Sequence, residues 1–155
     1  MTLRLLTAAL LATAAATAAQ AADPKTDAAA AAAKSAPKYL IIDRSSEALM
    51  DKAAAQAEWA KQIEAKGGKR LAKLYPVGKF GFISQVEGGF TADKTCVVAA
   101  RAMLVPRAGK VLQFAPEKIA TTFDAKAGAD AAACKALGAA KLAEAVDSVL
   151  STLVK

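Results

Sequence analysis

The 155-residue chain contains no histidine. That removes the side chain most used as a general base near neutral pH, the usual pH switch and the commonest metal ligand. Aromatic residues are scarce at 5%, with one tryptophan, and there are only two cysteines. Two thiols without an imidazole do not make an ordinary zinc site, so no metal or other cofactor is expected. Large apolar residues are also fewer than the 55% hydrophobic content suggests, because 43 residues are alanine. An alanine methyl adds little burial free energy, so the expectation is one domain with a small core.

Catalytic and phosphate-binding signatures are missing as well. Gly78-Lys79 and Gly109-Lys110 lack both the upstream glycine and the following Ser or Thr of a P-loop. Gly67-Gly68-Lys69-Arg70 lies at an expected helix end, where carbonyls rather than N–H groups point outward. No G-x-S-x-G, H-E-x-x-H or EF-hand pattern occurs. The acid pairs around Glu47 (Asp43 and Asp51) read as a solvated helix face.

What is present begins with targeting. Arg4 supplies a positive n-region, Leu5 to about Ala16 an apolar stretch, and Ala19-Gln20-Ala21 a small-x-small cleavage site. Residues 1–21 therefore read as a signal peptide cleaved after Ala21, with a periplasmic address, or alternatively a secreted one. No cysteine stands at the end of the apolar stretch, and no second apolar run reaches the length of a transmembrane segment. Residues 22–38, with six consecutive alanines and two prolines, read as an Ala/Pro-rich disordered linker. Residues 39–155 form the expected single domain.

Cys96 and Cys134 are an even pair in an oxidising compartment and are expected to form a disulfide. Their spacing is not C-x-x-C, so a structural bond is expected rather than a redox site. Tyr39-Leu40-Ile41-Ile42 is equally compatible with a first strand or the lead into a helix. A helix is expected from about Ser46 to Lys66, capped by the Ser45-Ser46-Glu47 stretch and stopped by Gly67-Gly68. Its inner stripe would be Leu49, Ala53, Gln56, Ala57, Ala60 and Ile63, flanked by Met50 and Trp59.

Period-two alternation at Phe80, Phe82, Ser84 and Val86 marks a strand. Thr95–Val105, apolar on both faces, marks a central strand covered by helix on at least one side. Pro106–Gly109 is a hairpin connection, Lys110–Ala115 a return strand, and Ile119–Phe123 its continuation or a further edge strand. A last helix capped by Asp130 should run to about Val154. It would bury Leu142, Val146, Val149, Leu150 and Leu153, with a bend near Gly138. The expected architecture is α+β. It is a two-layer domain with an N-terminal helix, a three- to four-stranded antiparallel meander, a C-terminal helix and one disulfide.

Charge is the best-localised chemical feature. The net charge is +7. Lys61, Lys66, Lys69, Arg70, Lys73 and Lys79 fall within 19 residues and are opposed only by Glu64. Such a cluster is a candidate surface for an anionic envelope component or an acidic protein; nucleic acid is not an expected partner of an exported chain. The same residues also read as a solvated helix end complementing the helix dipole. Arg101 interrupts an apolar strand. It is a candidate buried charge that needs Glu87, Glu117 or a ligand acid, or else it points to solvent. The functional expectation is a non-catalytic binding module of the cell envelope. The alternatives are an enzyme or enzyme inhibitor with a Ser, Lys, Asp or Arg site, and a passive structural protein.

Overall fold

The strand apolar on both faces is the organising element of the computed structural model, which describes residues 38–113 and 115–154. The expected signal peptide, and all but the last residue of the expected linker, lie outside the described residues. The strands are β1 (Ile41–Asp43), β2 (Phe80–Phe90), β3 (Cys96–Ala108), β4 (Val111–Leu112) and β5 (Lys118–Lys126). The helices are α1 (Lys52–Ala65), α2 (Gly68–Leu74) and α3 (Ala131–Leu153). β3 is central: β2 pairs antiparallel along one edge and β5 along the other, with β4 closing the far end of β3. The fold is α+β, with α1 and α3 packed on one face of the sheet.

Several details depart from the sequence reading. The sheet is mixed rather than an antiparallel meander, because β1 runs parallel to β2. The first helix starts at Lys52 rather than Ser46. Its delay has a clear cause: residues 44–46 are still bonded to β2, with Arg44 N–H donating to Ser84 O and Ser46 N–H to Val86 O, both at 2.9 Å. Ser45 Oγ accepts from Val86 N at 2.9 Å and donates to Asp43 Oδ1 at 2.7 Å. The helix is instead capped by Asp51, whose carboxylate accepts from Ala53 N and Ala54 N. Its buried face is Ala55, Trp59 and Ile63, while Ala53, Ala57 and Ala60 are exposed. The single tryptophan, with far more apolar area than any alanine, sets which face turns inward. It lies against Phe82 with ring centroids 5.0 Å apart.

A further departure is the return strand. It is only two residues long, and the nine-residue β5 provides most of the pairing instead. Pro116 has no N–H to add to the ladder, so pairing resumes beyond it.

α3 is one continuous helix through Gly138. A Cβ there would sit 3.1 Å from Leu49 O and 3.2 Å from Val86 Cγ1. The glycine is thus a close-packing contact between helix and sheet. Asp130 caps the helix through Ala133 N. Leu142, Ala145, Val146, Val149, Leu150 and Leu153 are buried against Val98, Ala100, Ala102 and Leu104 of β3. Cys96 at the start of β3 is bonded to Cys134 in the second turn of α3, with Cα atoms 5.7 Å apart. The bond fastens the helix to the sheet at one end of the core.

Candidate functional site

The basic cluster divides once it is placed on the fold. Lys61 pairs with Glu58 on its own helix at 3.4 Å. Lys66 is a structural tether: its Nζ lies 2.6 Å from Asp147 Oδ1 and 2.7 Å from Ser151 Oγ on α3. The hydrogen bond from Lys66 holds the Asp147 carboxyl below the usual carboxylate range, with the lysine charge adding to the effect. Lys69, Arg70 and Lys73 are exposed on α2, and Lys79 is exposed in the turn that leads into β2. Lys69, Lys73 and Lys79 have no ion pair among the described residues. The aromatics beside this run belong to the core: Phe82 is buried, and Tyr75 meets Phe80 edge-on at 5.4 Å.

Arg101 is not a buried charge. It is exposed in mid-strand on the face of the sheet that carries no helix. Neither Glu87 nor Glu117 forms an ion pair with it among the described residues.

That helix-free face is the feature the sequence reading left undeveloped. Strand pairing lays its side chains out in cross-sheet rows. One row is Ile42, Ile83, Met103 and Ile119, apolar throughout. The next carries Gln85, Arg101 and Thr121, and Arg44, just past β1, is bonded to β2 through its N–H to Ser84 O. In the opposite direction, Gly81 pairs with Val105. An antiparallel sheet with one solvated face ordinarily alternates apolar with polar residues. Here Ile83 and Val105 are buried on the helix-free side, outside the main core cluster. They are covered by the hairpin of β4, whose Leu112 Cδ2 would lie 2.9 Å from a Cβ at Gly81. The glycine makes room for the leucine.

Between this hairpin and the strands lies a cleft of about 700 Å³. Its floor includes Ile42, Ile83, Met103 and Val105, its wall Val111 and Leu112, and its charged members are Arg44 and Lys110. No described lining residue is acidic. The volume falls within the usual range of small-molecule sites, about 300–1,000 Å³. Beyond the cleft the same face exposes Ile119 and Phe123, the latter 80% exposed. The sequence did signal the apolar character of both faces of β3. It did not signal the hairpin that turns one face into a cleft.

The described residues hold no cluster of three or more potential metal ligands. No described helix is long and apolar enough to cross a membrane.

The architecture is that of an α+β protein with helices on one side of a mixed sheet. No protein family and no curated protein sequence matches this chain. Among solved structures it is similar to PelC from Paraburkholderia phytofirmans, in two crystal forms of a dodecamer. A point variant of PelC is 13% identical with a TM-score of 0.44, covering 72% of this chain and 87% of that one. A second PelC structure is 11% identical with a TM-score of 0.42, covering 73% and 87%.

Proposed function

We propose that this protein is an exported, non-catalytic binding module of the cell envelope, and that an anionic envelope partner docks on the cationic surface of α2. The observation that carries the reading is the exposure of Lys69, Arg70 and Lys73 on one two-turn helix, followed by exposed Lys79. Lys61 and Lys66 drop out of the docking surface, because each is engaged by a neighbouring acid. A compact group of exposed cations raises the local concentration of an anionic partner and makes binding salt-dependent.

Co-sedimentation with phosphatidylglycerol vesicles, against phosphatidylcholine vesicles, tests it. The chain should partition to the anionic vesicles and be released by added salt. The triple reversal Lys69→Glu, Arg70→Glu, Lys73→Glu should abolish the partitioning while leaving the thermal transition in place. Equal partitioning of the reversed variant, or equal binding to both vesicles, would overturn the proposal.

A further inference from the structure

We propose that the outer edge of β5 is an interaction surface separate from α2, and that it pairs antiparallel with β5 of a second copy of this chain about a two-fold axis at Thr121. β5 is nine residues long and pairs only with β3 among the described strands. The bonds of β3 fix which of its backbone groups face outward. Arg107 N–H donates to Lys79 O, so the odd-numbered residues of β3 bond β2 and the even-numbered ones bond β5. The pairs Ala100–Thr122 and Ala102–Ala120 then engage the even-numbered residues of β5. Ile119, Thr121 and Phe123 direct their N–H and C=O groups away from the sheet, and no described backbone group bonds them there. Ala125 N–H agrees with this parity, because it donates to the Asp124 carboxylate at 2.8 Å.

An open edge is a template for pairing, and sheets blunt it with charge, proline, a bulge or a covering element. Between Ile119 and Phe123, β5 has no charge, no proline and no positive φ. The opposite edge of the sheet differs: β1 is three residues long, and Gln56 Nε2 on α1 donates to Ile41 O at 3.3 Å. The sheet therefore extends on one side, and an isologous pair closes the assembly at two copies.

Register selects the chain itself as the occupant. An axis at Thr121 sets Ile119 against the partner's Phe123 and Lys118 against the partner's Asp124, each twice by symmetry. Ile119 is 55% exposed and Phe123 80%, and the cross-strand neighbour of Phe123 within its own chain is only Ala99. The seam covers both and carries the apolar row Ile42–Ile83–Met103–Ile119 into the second copy. On the helix side, Lys118 has no ion pair among the described residues, and Asp124 is engaged by Lys141 alone, at 3.6 Å. An axis at Thr122 would instead oppose Lys118 to Lys126, and one at Ala120 would oppose Ile119 to Thr121. Only the Thr121 register joins opposite charges and large apolar residues together.

Sedimentation velocity of the oxidised chain tests the proposal. The wild type should be a dimer that dissociates on dilution. Phe123→Lys, at an exposed position, should weaken the dimer about a hundredfold, since the two-fold axis counts the change twice, and leave the thermal transition in place. Lys118→Glu, which meets the partner's Asp124 with a like charge, should weaken it about tenfold. Thr121→Cys should cross-link two copies on mild oxidation, because hydrogen-bonded antiparallel partners stand about 5.5 Å apart at Cα, within the span of a disulfide. Ala125→Cys, exposed on the same face of β5, should not cross-link. A monomeric wild type, an assembly of any size that Phe123→Lys leaves intact, or cross-linking of Ala125→Cys as readily as Thr121→Cys would each overturn the proposal.

Discussion

Loss of the Cys96–Cys134 bond is the perturbation whose size follows most directly from the structure. The bond closes a loop with a sequence separation of 38. In the chain-entropy account, a loop of that size restricts the unfolded ensemble by about 4 kcal/mol. Small domains are stable by only about 5–15 kcal/mol, so this is a large share. Both cysteines are buried, at 0% and 1% exposure, so serine would leave buried hydroxyls; the informative variant is Cys96→Ala with Cys134→Ala. Trp59 is fully buried and is the only tryptophan, so its fluorescence follows the core without an added label. With a urea m-value of about 1.5 kcal/mol/M, a loss of 4 kcal/mol lowers the midpoint by about 2.5 M. Reduction of the wild-type chain should give nearly the same shift without removing any sulfur. Far-UV dichroism should move with the fluorescence, because α1 and α3 share one core. A midpoint change equivalent to less than about 1 kcal/mol would refute the loop-closure reasoning. A dichroism change that leaves the tryptophan transition in place would instead localise the bond's effect to the first turns of α3.

Two further outcomes are expected. Gly138→Leu should destabilise by about 1–3 kcal/mol in urea, because the contacts at Leu49 O and Val86 Cγ1 leave no room. Gly138→Ala should stay within about 1 kcal/mol, its gain in helix propensity offsetting the tight contact; equal effects of the two would contradict the packing role. Asp147 has a lowered folded pKa, so its contribution is complete above the ordinary carboxylate value of about 4 and fades as pH falls through the lowered value. The urea midpoints of wild type and Asp147→Asn should therefore differ at pH 7 and converge by pH 2. A gap that persists unchanged in acid would show that the Lys66 tether is not its source.

Legibility in the sequence followed the strength of local signals. α3 was readable because Leu142, Val146, Val149, Leu150 and Leu153 repeat at helical spacing and Asp130 caps them. β2 and β3 were readable from alternation and from a long β-rich run. The disulfide was readable from the even cysteine pair, the expected oxidising compartment and the spacing of the two residues. The start of α1 was not readable, because Ser45 and Ser46 resemble caps but are used as strand edges, and only the pairing of β1 with β2 decides between these roles. The face of α1 was misassigned because alanines occupy many positions around it and carry little directional information, whereas the contact of Trp59 with Phe82 is non-local. The cleft depends on Leu112 reaching Gly81, 31 residues apart in sequence, which no periodicity records.

The alanine content takes on a different meaning when β3 is read face by face. Toward the helices it presents Val98, Ala100, Ala102 and Leu104, and the two alanines at its centre let α3 lie close. Away from them it presents Val97, Ala99, Arg101, Met103 and Val105. The helix-free side therefore carries at least as much side-chain bulk as the side that forms the core. Folding alone asks for the reverse, since a two-layer domain needs apolar bulk only where its layers meet. Val105 is 4% exposed beneath the β4 hairpin whereas Val97 is 40% exposed, so this face contributes burial at the hairpin end and little at the other.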